Sequence, residues 1–150
     1  MRLHDFRAEL RLPLPPEELF PVFADAGNLD VLTPPWLHFR ILTPGPFELR
    51  AGSIIDCRIR VRGLPLRWRT LIAEWAPPHR FVDVRMHGPF RRWVHTHTFE
   101  EREDGTVVRD RVQSAVPLGL CLHRRFVRPD LDRIFTFRRD ALEARFGVKR

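Results

Sequence analysis

The sequence predicts an α+β domain in which a curved antiparallel sheet of about seven strands wraps around a long C-terminal helix. Three observations predict this class. Apolar and polar residues alternate in short segments between Trp36 and Val116. Turn-forming residues, mostly Gly and Pro, separate these segments at spacings that suit an antiparallel meander. After Pro129 the apolar residues change to a helical spacing.

The first part of the chain predicts one strand and a short helical segment. Residues 3–12 combine apolar Leu10 and Leu12 with charged neighbours, which is typical of a strand. Pro15–Glu18 is typical of a helix start, because proline is tolerated in the first turn and acidic side chains stabilise that end. Since Pro21 lies inside the segment, we expect the helical structure here to be short, kinked or split.

Six further strands follow, joined by short connections. Their predicted ranges are Phe39–Leu42, Ser53–Arg62, Leu66–Ile72, Phe81–Met86, Trp93–Glu100 and Thr106–Val116. Alternation is clearest in the second of these strands, where Ile55 and Cys57 oppose Arg58. Asp104-Gly105 is a strong hairpin signal between the last two strands.

The C-terminal segment has the apolar periodicity of a helix. The residues that repeat at this spacing are Leu131, Ile134, Phe135, Leu142 and Phe146. An amphipathic helix of this kind can cover the apolar face of a sheet. Because 150 residues suit one core, the sequence predicts a single domain over 1–150.

Composition excludes several chemistries. The chain has no Tyr, and its only lysine is Lys149, so we expect neither phenol chemistry nor an internal Schiff base. Ser53 and Ser114 lie in no nucleophile elbow, and the glycines form no phosphate-binding loop. Cys57 and Cys121 match no zinc-finger spacing. We therefore expect no cofactor.

The remaining features of composition concern location and partners. The chain has no apolar run of membrane-span length and no apolar leader, so a cytoplasmic location is expected. The net charge is +7, and arginine supplies all but one of the 26 basic residues. These arginines are spread along the whole chain, many on the polar faces of strands and others around the C-terminal region, which predicts no specific nucleic-acid site. A basic sheet face could still contact a protein or a polyanion.

Several multi-residue motifs carry a resemblance to a known superfamily. They are Asn28–Trp36, Leu64–Trp68, Phe81–Asp83, Gly88–His97 and Asp104–Val112. With the order of elements, they make residues 3–146 resemble the helix-grip fold of the START/Bet v 1-like (SRPBCC) superfamily. The resemblance is to its bacterial cyclase/dehydrase-like, or polyketide cyclase-like, ligand-binding branch. It implies a ligand-binding domain, but no reaction whose residues could be carried over.

A curved sheet and one helix leave a concave apolar space unless large side chains fill it. We expect a small hydrophobic molecule (a lipid, isoprenoid or polyketide-like compound) to bind in that space. The predicted lining residues are Ile55, Cys57, Ile59, Trp68, Thr70, Val84, Met86, Trp93, His95, His97, Phe99, Asp110, Val112, Ile134, Phe135 and Leu142.

Polar residues on the predicted inner face are open to three interpretations. His95 and His97 share a strand face, and hairpin pairing places Asp110 within their reach. The three can form a satisfied structural cluster. They can also hold the polar end of a ligand, or act as acid and base in a cyclisation or dehydration. A metal site made of the same three residues is the third interpretation, although no metal is expected.

The leading hypothesis is therefore a binding domain for a small hydrophobic molecule, more consistent with a non-enzyme than with an enzyme. An aromatase/cyclase-type enzyme that uses His95, His97 or Asp110 is the first alternative. An interaction module that uses the basic outer face of the sheet is the second. The chain could also form a homodimer under any of these three hypotheses.

Overall fold

Seven strands form one antiparallel sheet in the order β1-β7-β6-β5-β4-β3-β2. The structure is a computed structural model that describes residues 3–25, 28–43, 49–87, 92–115 and 123–147. The strands are His4–Leu12 (β1), Arg40–Ile41 (β2), Ile54–Val61 (β3), Leu64–Ala76 (β4), Arg80–His87 (β5), Arg92–Arg102 (β6) and Gly105–Ala115 (β7). The predicted meander is confirmed, and β1 adds to it by pairing with β7.

The strands differ from their predicted ranges mainly at the ends. The fourth strand is longer than expected and runs from Leu64 to Ala76. It changes register against β5 between Ile72 and Glu74, which allows a long strand to bend with the curved sheet. The predicted turn at Gly88-Pro89 and the end of the last strand at Val116 lie outside the described residues.

Helices lie in the two predicted places. Two short α-helices follow β1, at Pro16–Ala24 (α1) and Leu29–Leu32 (α2), and a 3-10 turn follows at Pro35–Leu37. A long helix, Arg128–Phe146 (α3), is preceded by a π-helical turn at His123–Val127. The α+β helix-grip class is therefore confirmed. Within the described ranges, no helix is long and apolar enough to cross a membrane.

The helices bury their apolar side chains against one face of the sheet. Phe20 and Phe23 of α1 contact Phe99 at ring-centroid distances of 5.3 and 5.1 Å. Leu142 of α3 belongs to the same cluster. Nearer the start of α3, Leu131 packs with Phe6 and Val112 in a second cluster. We call this helix-covered face of the sheet the inner face.

Candidate functional site

Strand β6 shows how burial changes along the inner face. Trp93, His95, His97 and Phe99 occupy alternate positions, so their side chains share this face. Trp93 is partly exposed, whereas the exposed fraction is 8% for His95, 6% for His97 and 2% for Phe99. The two histidines therefore lie between an open end of the inner face and a closed end.

The closed end is filled by aromatic and aliphatic side chains. Phe81 and Phe99 lie in one cluster with Leu142, and Phe20 contacts both phenylalanines. Among the described residues, a cavity of about 20 Å³ lies beside this cluster, next to Asp110 and other residues of β1, β7 and α3. Its volume is close to that of a single water molecule. This end of the domain is therefore a packed core.

The open end presents aromatic surface that is only partly buried. Trp68 and Trp93 meet edge to face with their ring centroids 5.1 Å apart. Trp68 pairs with Cys57 across β3 and β4, so the predicted lining of these strands shares the inner face with it. Ile59 and Thr70 on the same two strands are half-buried. Trp93 also packs against the cluster of Phe6, Val112 and Leu131, so this end is an apolar surface that is only partly covered.

Four ionisable side chains lie between the two ends. Nε2 of His95 is 2.8 Å from Oδ1 of Asp110, and Nε2 of His97 is 2.7 Å from Oδ2 of Asp83. The other ring nitrogens point the opposite way. Nδ1 of His97 is 3.2 Å from Oδ1 of Asp110, and Nδ1 of His95 is 4.0 Å from Oδ2 of Asp83. Each imidazole therefore lies between two carboxylates that belong to the neighbouring strands.

Ring stacking holds the two imidazoles in place. Their centroids are 3.7 Å apart, with an interplanar angle of 25°. Phe81 stacks on the far side of His97 at 4.0 Å, and Phe135 of α3 meets His95 edge-on at 5.7 Å. With both rings held in this way, their orientation is set by packing as well as by hydrogen bonds. The geometry is therefore already organised without a ligand.

Helix α3 adds a cation to this group. Nη1 of Arg138 is 3.8 Å from Oδ1 of Asp110, and its guanidinium lies over the ring of Phe135 at 5.1 Å. Nε of Arg138 is buried and has no hydrogen-bond partner in the described part of the chain. We call Asp83, His95, His97, Asp110 and Arg138 together the polar cluster.

The two carboxylates of the polar cluster are stabilised in their ionised form. Burial alone would raise the pKa of Asp110, but its hydrogen bonds and charge interactions with His95 and His97 outweigh burial and lower it. The pKa of Asp83 is lowered in the same way, with Arg138 contributing to the effect. Both carboxylates are therefore negatively charged at neutral pH.

The pKa values of the two histidines shift in opposite directions. Burial lowers the pKa of His95, and the positive charge of His97 lowers it further. Burial also opposes the protonation of His97, but the adjacent carboxylates of Asp110 and Asp83 outweigh it and raise the pKa. Folding therefore favours the neutral form of His95 and the protonated form of His97 relative to free imidazoles. With Arg138, a protonated His97 balances the two carboxylates.

The structure brings together the three predicted catalytic candidates. His95, His97 and Asp110 meet across β6 and β7, as hairpin pairing predicted. Sequence reasoning missed Asp83 and Arg138. Arg138 could have been found, because it follows Phe135 at the helical spacing that also includes Leu131 and Leu142.

Two predicted lining residues lie on the wrong face. Phe81 and Asp83 contact His97, so they occupy the inner face of β5. Val84 and Met86 therefore lie on the opposite face, where Met86 is 52% exposed. The prediction for this strand was shifted by one residue. Because Phe81, Val82 and Val84 are all apolar, the sequence does not show which face is buried.

The other predicted lining residues divide between the two ends and their borders. Ile55 and Cys57 are buried in a small cluster of their own. Burial and the nearby Asp56 raise the pKa of the Cys57 thiol to about 12, so it is an unreactive apolar group. Phe99, Val112 and Leu142 belong to packed clusters, and Phe135 borders the polar cluster. Ile134 is half-buried.

A curved seven-stranded sheet, a C-terminal helix against its inner face and a partly open apolar surface define a START/Bet v 1-like (SRPBCC) domain. A family profile described as "Polyketide cyclase / dehydrase and lipid transport" matches residues 4–147, and the chain belongs to this family. No curated protein matches the chain in sequence.

Solved structures agree with the fold. A protein from Chromobacterium violaceum has a TM-score of 0.75 at 17% identity, covering 97% of this chain and 99% of that one. Ginseng major latex-like protein 151 from Panax ginseng has a TM-score of 0.71 at 12% identity, covering 96% of this chain and 97% of that one. The protein Ara h 8.0201 has a TM-score of 0.67 at 16% identity, covering 95% and 99% of the two chains. At these identities the likeness shows the fold alone.

Proposed function

We propose that this domain binds a small, mostly hydrophobic molecule (a lipid, isoprenoid or polyketide-like compound) at the open end of its inner face. The observation that carries the proposal is the burial gradient along β6, in which partly exposed Trp93 leads to buried His95 and His97. An apolar body would contact the aromatic surface, and its polar end would reach the polar cluster. The family description, which includes lipid transport, supports the same class of ligand.

The aromatic surface supplies the apolar contact. Trp68 and Trp93 come from strands on either side of β5, so together they span the concave surface. Large rigid side chains offer much contact area at a small entropic cost, which suits them to holding an apolar molecule. Because both tryptophans are partly exposed, a ligand can reach them without unfolding the core.

The polar cluster supplies orientation. A buried imidazole or guanidinium N–H that lacks a full set of partners donates readily to a ligand oxygen. Nε of Arg138 is such a group, since it is buried and has no partner among the described residues. We therefore infer that a ligand carries an oxygen-bearing group at its inner end.

Titration with the environment-sensitive dye 1-anilinonaphthalene-8-sulfonate, followed by displacement with palmitate, tests the proposal. We expect Trp93→Ala to weaken dye binding by about fivefold or more, because the truncation of a central aromatic contact costs above about 1 kcal/mol. Trp36→Ala is the matched control, because Trp36 lies in the 3-10 turn before β2 and lines a separate cavity of about 350 Å³, so this variant reports dye that binds there and not beside Trp93. Equal losses in the two variants would contradict the proposal.

A second candidate function is proton-transfer catalysis of the cyclase type. The hydrogen bonds from His95 to Asp110 and from His97 to Asp83 favour it, because an oriented imidazole is the usual general acid or base. A linear polyketone thioester is a suitable probe, followed by mass spectrometry. His95→Gln should abolish product formation while palmitate still displaces the dye. A parallel loss of both would count against catalysis.

Two further proposals concern the location and the assembly of the chain. A reducing cytoplasmic location is supported by the buried thiol of Cys57, which forms no disulfide. A homodimer is tested by light scattering of the purified chain, where the mass of a monomer would reject it.

A further inference from the structure

The two histidines of the polar cluster share one arrangement. In each ring, one nitrogen faces Asp83 and the other faces Asp110. On the Asp83 side, Oδ2 lies 2.7 Å from Nε2 of His97 and 4.0 Å from Nδ1 of His95. On the other side, both rings approach the same oxygen, Oδ1 of Asp110. The cluster therefore has a three-donor side and a single-carboxylate side.

The three-donor side has the composition of a metal site. Asp83, His95 and His97 each offer one ligand atom, and these atoms lie within 4.8 Å of one another. Donors around a tetrahedral first-row ion at its usual bond lengths are about 3.3 Å apart. The distances of 2.7 and 4.0 Å from Asp83 lie on either side of that value, so small rotations of the side chains would bring the donors into place.

The single-carboxylate side has the composition of a second shell. A histidine that binds a metal through one nitrogen usually donates the N–H of its other nitrogen to a carboxylate, which fixes the ring. Asp110 accepts a hydrogen bond from Nε2 of His95 at 2.8 Å. Nδ1 of His97 lies 3.2 Å from the same oxygen but makes no hydrogen bond among the described residues, so a small rotation of the ring would let Asp110 accept from His97 as well. Such a shared carboxylate would set both tautomers so that the free lone pairs point towards Asp83.

We propose that Asp83, His95 and His97 bind one divalent first-row metal ion, of which Zn²⁺ is the best match, with Asp110 orienting both histidines. Two imidazoles and one carboxylate suit such ions and leave a coordination position for water or for a ligand oxygen. This set differs from the one weighed from the sequence, because Asp83 replaces Asp110 as the third ligand.

Access and rigidity support the same assignment. The side chain of Asp83 is 19% exposed, which is more than the exposed fraction of His95, His97 or Asp110. Asp83 therefore offers the entry point for an ion. All three ligands project from the adjacent strands β5 and β6, which hold donors more firmly than a loop does. Phe81 and Phe135 further restrict the histidine rings.

The experiment uses the untagged full chain, freed of metal with EDTA and then separated from the chelator. Co²⁺ is titrated with visible absorption as the readout, and Zn²⁺ by calorimetry. We expect one saturable equivalent per chain. Asp83→Asn and His97→Gln should each weaken binding by at least tenfold, and Asp110→Asn by about 10- to 100-fold through lost orientation.

His79→Gln is the matched control, because His79 is exposed in the turn before β5 and its substitution should leave metal binding unchanged. Ring ¹⁵N shifts of the wild-type protein with Zn²⁺ provide a readout that needs no variant to fold, and only His95 and His97 should respond. No saturable binding to the wild-type chain would overturn the proposal. So would equal losses in His79→Gln and Asp83→Asn.

The metal proposal is independent of the proposed function. Dye and palmitate binding are measured on the metal-free chain, whereas Co²⁺ and Zn²⁺ are measured without an apolar ligand. A chain that binds palmitate but no metal would reject only the metal site. A chain that binds one metal ion but no apolar molecule would reject only the proposed ligand.

Discussion

Both faces of strand β7 carry charged side chains, but the surroundings of these side chains differ. Arg109 and Arg111 point outwards, where they pair with Glu100 and Asp5 at the exposed surface. Asp110, the residue between them, points inwards to His95, His97 and Arg138. Exposed ion pairs contribute little to stability because water screens them. A buried charge instead depends on its partners, because it has lost its hydration.

This difference shows which charged residues of the chain indicate its function. Many of the arginines lie on the outer face of the sheet, where acidic partners such as Asp5, Asp56 and Glu100 neutralise part of their charge. Such pairing reduces the field that a polyanion would meet, which weakens the case for an interaction module. The five residues of the polar cluster therefore indicate function more clearly than the arginines of the outer face do.

The largest expected effect is that of Asp110→Asn, which would remove the buried negative charge beside His95, His97 and Arg138. We expect a loss of about 3–5 kcal/mol in the free energy of unfolding, as is typical when one partner of a buried ion pair is removed. Urea denaturation with EDTA present measures it. A loss below about 1 kcal/mol would mean that the inner cluster behaves like a surface pair.

Arg138→Met tests what α3 contributes to the cluster. Methionine keeps the apolar packing on Phe135 but removes the cation beside Asp110. Because the contact is 3.8 Å and not a hydrogen bond, we expect a smaller loss of about 1–2 kcal/mol. Arg139→Met, on the exposed side of the same helix, is the control and should change stability less.

The opposite shifts of the histidines predict a dependence on pH. Since the pKa of His97 is raised on folding, its charge stabilises the fold below the unfolded value of about 6.5. That contribution is lost as pH rises through the folded pKa. In EDTA, the stability difference between the wild type and His97→Gln should therefore be larger at about pH 6 than at about pH 9.

His95 provides the converse case. Its pKa is lowered on folding, so protonation destabilises the fold as pH falls below about 6.5. The stability difference between the wild type and His95→Gln should therefore shrink towards acidic pH. Denaturation curves for both variants at the same two pH values check the assignment. The same trend in both variants would contradict it.

The smallest effect is expected on the outer face. Asp5 pairs with Arg7 and Arg111 near the start of β1, and all three side chains are exposed. Asp5→Asn should therefore cost about 0–1 kcal/mol, and 0.5 M salt should remove most of that difference. The salt dependence distinguishes this face from the inner one, since Asp110→Asn should be far less sensitive.

The order of the elements could be predicted because it depends on local signals. Each of these signals is encoded within a few neighbouring residues. They are the alternation in β3 and β7, the Asp104-Gly105 turn and the helical spacing in α3. The pairing of His97 with Asp110 followed from the same hairpin. The face that β5 buries could not be predicted, because Phe81 makes one of its faces apolar and Val82 and Val84 make the other apolar.

The sequence by itself determined the fold class, the outward position of the arginines in β3 and β7, and the presence of His95, His97 and Asp110 on one face, because strand alternation is a local rule. Only the tertiary structure decided that Asp83 joins them from β5 and Arg138 from α3, since those contacts cross between elements that are distant along the chain. It also decided which end of the inner face is packed and which stays open. Burial depends on what covers a strand, and that cover comes from α1 and α3 rather than from the strand itself.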